Sequence, residues 1–80
     1  GTGNVSNLRG YGTKNFDITF GFTHNASNTE QIKLLVTSGC STLVFLRVDG
    51  LSTTGATIRI KNDEIATCSG EIYWVAIQTW

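Results

Sequence analysis

The chain is short of charge. Only 15% of its 80 residues are charged, with six Lys or Arg against six Asp or Glu and a formal net charge of zero. The basic residues are scattered, at positions 9, 14, 33, 47, 59 and 61. Nucleic-acid affinity rests on neutralising phosphates with a basic patch, so nucleic acid is not an expected partner. A hydrophobic content of 40% also separates the chain from disordered segments, which combine low hydrophobicity with high net charge. No apolar run approaches the roughly 20 residues of a membrane-spanning helix, so membrane insertion is not expected. A secretory leader pattern is missing as well.

Chemically versatile side chains are equally scarce. The two cysteines, Cys40 and Cys68, stand far apart in sequence, and His24 is the only histidine. Zinc takes about four converging ligands, usually in close pairs, so neither a metal nor any other cofactor is expected. Free, partly buried thiols are the preferred reading of the cysteines; a disulfide between them stays open. His24 sits in the polar run Thr23 to Ser27, with no nucleophile elbow or oxyanion loop around it. It reads as a surface-loop histidine. Asp63 and Glu64 are adjacent carboxylates in a turn, where neighbours point apart rather than flank a bond as glycosidase pairs do. They read as a solvated turn, with ligand contact as the alternative. No catalytic residue is assigned, and the chain is expected not to be an enzyme.

What the chain does have is alternation with period two. Phe16, Ile18 and Phe20 alternate with Asp17 and Thr19; Ile32, Leu34 and Val36 alternate with Lys33 and Thr37. Leu43–Asp49 carries Val44, Leu46 and Val48 on one face; Ala56–Lys61 carries Ile58 and Ile60; Glu71–Gln78 carries Ile72, Trp74 and Ala76. Such segments are half-buried antiparallel strands. A sixth strand is expected either around Ile65–Cys68 or near Val5–Leu8. Turn residues punctuate the pattern at Ser38-Gly39, Asp49-Gly50, Thr54-Gly55, Asn62-Asp63 and Ser69-Gly70. Residues Gly50–Gly55 are too many for a two-residue hairpin and are expected to form a loop between the third and fourth of these segments. Trp74 is expected in the core; Trp80 is open to stacking on a sugar ring, packing at a subunit seam, or being no more than the last residue. The fold expected is all-β: a small antiparallel six-stranded β-sandwich. Residues 1–13, rich in Gly and Asn, form a connector or edge segment, and residues 14–80 the β-sandwich binding domain. The lead-in suggests a piece of a longer chain.

Several strands are apolar on both faces. Leu35, Leu43, Phe45, Val75 and Ile77 lie opposite the core-facing residues of their own strands. A two-sided apolar strand requires cover on both faces, and 80 residues leave little chain to provide it. Other copies of the same chain are the economical cover; the alternative is a compact barrel whose N-terminal segment closes the second face.

The run Leu51-Ser-Thr-Thr-Gly55-Ala-Thr-Ile-Arg-Ile-Lys61, the closing Ile72-Tyr-Trp-Val-Ala-Ile77, and the upstream Asn15-Phe-Asp-Ile-Thr-Phe20 together resemble the H-type lectin domain of snail agglutinins and discoidins. They are similar, too, to the C-terminal domains of bacteriophage tail fibres that share this pattern. The resemblance spans roughly residues 14–78. It implies a six-stranded sandwich assembled as a homotrimer, in agreement with the two-sided strands, whose Leu35, Leu43, Phe45, Val75 and Ile77 are the expected oligomer interface. It also implies a cell-surface glycan held near the protomer junction. Carried over, the binding loop is Asn62, Asp63 and Glu64, with Arg47 and Tyr73 as neighbours. The lectin loop carries an aromatic residue and a histidine where Asn62 and Asp63 stand here, so the lectins' sugar specificity does not carry over. The expectation is a carbohydrate- or receptor-binding tip of a trimeric fibre on a virion, probing a host surface. The alternatives are a structural trimerisation cap and a secreted lectin.

Overall fold

The computed structural model describes residues 1–80. Six strands run along a body of 42 × 17 × 14 Å: β1 (Thr2–Leu8), β2 (Thr13–Thr19), β3 (Ile32–Ser38), β4 (Val44–Leu51), β5 (Gly55–Asn62) and β6 (Cys68–Gln78). They form two three-stranded sheets, β1-β6-β3 and β2-β5-β4, and every pairing is antiparallel. The fold is a small β-sandwich. The one helical element is a 3-10 turn at Thr29–Gln31, capped by Asn28.

The alternation read from the sequence is what packs the sandwich. On β5, the central strand of its sheet, Ala56, Ile58, Ile60 and Asn62 are buried while Thr57, Arg59 and Lys61 face outward. Ile58 and Ile60 meet Val5, Leu8, Cys68 and Ile72 from the other sheet in one cluster. Each large aliphatic buried this way contributes about 1.5–3 kcal/mol. A second cluster of Phe20, Ala26, Ile32 and Ala56 fills one end, with Trp74 packed against both. Trp80 lies edge-on to Phe22, 4.9 Å between ring centres, so its ring packs within its own chain.

Of the two places expected for the sixth strand, the N-terminal one holds it: β1 is an edge strand paired to β6, with Val5 fully buried. Ile65 lies outside any strand and is exposed; β6 begins only at Cys68. And Asp49-Gly50 is not a turn. Val48 pairs with Ile58 and Gly50 with Thr57, so Asp49 is the extra residue of a β-bulge. The chain reverses four residues later, where the Ser52 amide donates to the Gly55 carbonyl at 2.8 Å. The segment expected to be a loop between strands is the tip of a β4–β5 hairpin.

Candidate functional site

The residues carried over from the resemblance do not converge. Asn62 ends β5 on its inward side and is 0% exposed. Its Nδ2 donates to the carbonyls of Leu8 (3.2 Å), Arg9 (3.2 Å) and Ala66 (2.8 Å). Its Oδ1 accepts from Thr42 Oγ1 (2.8 Å) and the Glu64 amide (3.1 Å). An amide with every site occupied and no exposed surface has nothing to offer a ligand. Asn62 is a rivet that ties the β1–β2 turn, the β3–β4 loop and the β5–β6 loop together. Asn62 thus faces inward, away from any surface of the expected binding loop.

Its neighbours are also partly committed. The Asp63 amide donates to the Leu43 carbonyl at 2.9 Å, leaving the half-buried carboxyl side chain unengaged by protein. Glu64 uses Oε2 to accept from the Leu43 amide. Arg47 projects from the outward face of β4 and pairs with Asp49 at 2.7 Å. It lies three residues along the strand from Val44, the partner of Asn62, or roughly 10 Å away. Tyr73 is on the outer face of the other sheet, opposite Thr37. Of the five expected ligand contacts, only the consecutive Asn62, Asp63 and Glu64 share a place.

The five expected interface residues are exposed, and they divide between the two outer faces. Leu35 and Val75 are cross-strand partners on the β1-β6-β3 sheet, with Ile77 opposite Lys33 beside them. Leu43, immediately before β4, and Phe45 within it lie on the side of the other sheet, Phe45 opposite Lys61.

The principal concavity lies elsewhere. On the outer face of the β2-β5-β4 sheet, at the hairpin end, an open hollow of about 460 Å³ is bordered by Asp17, Thr19, Gly50, Ser52, Thr54 and Thr57. Register creates it. Asp17 pairs with Thr57 and Thr19 with Gly55 on one side, and Gly50 pairs with Thr57 on the other. Gly50 therefore leaves unfilled space between hydroxyl-bearing neighbours. Gly55 is there of necessity, since a Cβ would come within 2.2 Å of the Ile18 carbonyl oxygen. Gly50 is not so constrained: a Cβ would meet nothing within 4 Å. Thr57 Oγ1 donates to Asp17 Oδ1 at 2.8 Å, which orients the carboxylate and leaves its second oxygen free. The next row along the sheet is charged, with Arg59 reaching Asn15 (3.3 Å) and Asp49 (3.6 Å). Five residues of β5 separate Thr57 from Asn62, so hollow and expected loop lie roughly 17 Å apart. The outward phase of Asp17, Thr19 and Thr57 was visible in the alternation; their juxtaposition was not, because it depends on strand register.

The cysteines do come together. Cys68 is buried in the main cluster and Cys40 packs against it, both as free thiols. Burial pushes the Cys40 thiol above its ordinary value; hydrogen bonding to the Ser38 side chain offsets part of the rise, and the adjacent Cys68 thiol adds to it. Beside them Gly70 has φ of +149°, and a Cβ there would meet the Gly39 oxygen at 2.6 Å and the Cys40 Cα at 2.7 Å. Only glycine suits that crossing.

Comparison with family models, characterised proteins and solved structures returns no match for this chain.

Proposed function

We propose that this domain is the carbohydrate- or receptor-binding tip of a trimeric fibre, of the kind phage tail fibres carry, and that it recognises a host surface glycan through the Asp17–Thr57 hollow. The observation that carries the reading is the chemistry of that hollow. Hydroxyls and an oriented carboxylate with one free oxygen are the groups that hold sugar hydroxyls, and an open hollow of about 460 Å³ admits one or two rings of a glycan chain. The exposed apolar residues on both outer faces support the oligomer, since a soluble monomer rarely tolerates such surfaces. A trimer also supplies avidity, which compensates for a shallow individual site.

A glycan array probed with the oligomeric chain tests the reading. Loss of one charge-assisted hydrogen bond is worth about 1.5–3 kcal/mol, so Asp17→Ala is expected to weaken the strongest signal about tenfold or more. Asp63→Ala is the comparison. If Asp63→Ala abolishes binding and Asp17→Ala does not, the site belongs to the Asp63–Glu64 loop. An array with no binder at all leaves the structural trimerisation cap, the reading that the apolar faces favour by themselves.

A further inference from the structure

We propose that the outer face of the β1-β6-β3 sheet is the seat for Leu43 and Phe45 of a second copy, so that copies associate head to tail through two unlike surfaces. The inference rests on the oligomeric reading above and names the contact that builds it.

Two apolar surfaces point away from the core. On the β1-β6-β3 sheet the cross-strand partners Leu35 and Val75 are 61% and 56% exposed, with Tyr73 and Ile77 on either side along β6. A shallow groove of about 120 Å³ runs past Leu35, Tyr73 and Val75; five of its six lining residues are hydrophobic, and Thr37 is the exception. On the opposite outer face, Leu43 and Phe45 are 59% and 57% exposed. The whole core lies between the two surfaces, so they cannot act as one patch.

That separation decides how copies meet. A two-fold dimer joins a patch to its own equivalent, and covering either surface this way leaves the other in water. Contact between unlike surfaces covers both on every protomer, and it closes into a ring when the rotation allows. The areas agree. One side of a standard interface offers about 800 Å², a little over half of it apolar. Four large side chains, each about half exposed, present apolar area on the order of 300–400 Å², which is also the scale of the largest patch on a typical monomer. The occupant is this chain because it carries the matching part. Phe45 stands out from an edge strand, and an aromatic ring entering an apolar groove is the usual anchor of an interface.

Variants that each spoil one surface provide the test. Phe45→Asp and Val75→Asp are each expected to be monomeric by light scattering at concentrations where the parent chain is oligomeric. Mixed one to one, they are expected to form a heterodimer and nothing larger, because one protomer keeps the groove and the other keeps Phe45. A second measurement does not depend on how charged variants fold. Phe45→Cys is mixed with Val75→Cys and oxidised glutathione, which is reduced to two glutathione molecules as the two thiols join. The 45–75 disulfide is expected to exceed the 45–45 and 75–75 dimers severalfold, with the parent chain controlling for Cys40 and Cys68. An oligomer that survives Phe45→Asp, a dimer of either charged variant alone, or a dominant like-with-like disulfide would overturn the pairing while leaving the oligomer standing. A parent chain that is a stable monomer would overturn the oligomeric reading itself.

Discussion

Replacing Asn62 by alanine is expected to unfold the isolated chain. The side-chain amide has two N–H protons facing three carbonyl oxygens and one oxygen accepting from two donors. That geometry supports about four well-formed hydrogen bonds. Each is worth about 1 kcal/mol net, and more where a partner stays buried without a replacement. The loss therefore sums to about 3–4 kcal/mol, which matches the whole stability that a core in so small a chain supplies, about 3–5 kcal/mol. Asn62→Asp separates hydrogen bonding from volume. A carboxylate of the same shape only accepts, so it turns a negative oxygen toward three carbonyl oxygens and is expected to be at least as damaging. Urea unfolding followed by far-UV circular dichroism measures both, with Asp63→Ala expected within about 0.5 kcal/mol of the parent chain. An Asn62→Ala chain that unfolds less than about 1 kcal/mol more easily, with an unchanged m-value, would refute the rivet. If that folded variant had also lost glycan binding, Asn62 would return to the ligand site.

Gly50→Val is expected to fill the hollow without loss of stability, because its Cβ enters open space and valine suits a strand, and on the proposed reading to abolish glycan retention; a melting temperature that falls by several degrees would show that the space is not free. Ile58→Ala, at a fully buried position, is expected to cost about 2–5 kcal/mol in the same urea titration. The raised Cys40 thiol means that the folded chain holds that proton more tightly than the unfolded chain. Its contribution to stability is therefore complete below the ordinary thiol range and is lost as pH rises through the higher folded value. Iodoacetamide should label native Cys40 slowly at neutral pH, with a rate still climbing where an ordinary thiol has levelled off, and Cys40→Ser should remove part of the alkaline fall in urea midpoint. A labelling rate that plateaus in the ordinary range would contradict this. A thiol reductant is expected to leave the melting temperature of the freshly purified chain unchanged.

Most of the sandwich was legible because burial on one face writes itself as alternation. β2, β3, β5 and β6 follow period two with little interruption, and their partners are the segments that the pattern proposed. β1 was harder for a local reason. Its two buried residues, Val5 and Leu8, are three apart, out of phase for an ideal strand, because the register slips between them. Asn7 takes a left-handed conformation there, with φ of 54°, and the extra residue restores Leu8 to the core. Asp49-Gly50 misled in the opposite sense. Small flexible residues serve a bulge as well as a turn, and only the pairing partner across the strand tells them apart.

The same comparison explains why the proposed site differs from the one expected. Asn62-Asp63 carries turn chemistry, yet Asn62 also falls two residues after Ile60, in phase with Ala56 and Ile58. The alternation of β5 thus placed it inside, and turn propensity placed it outside. Burial prevailed because a single inward amide donates to the Leu8, Arg9 and Ala66 carbonyls at one end of the sandwich. A buried polar group is tolerated only with its hydrogen bonds made, so a residue solving that problem is spoken for before any ligand arrives. The hollow follows the opposite logic. Its open space is what Gly50 omits, and its walls belong to strands far apart in sequence. No local pattern announces such a site, and it becomes visible only once Thr57 has Asp17 on one side and Gly50 on the other.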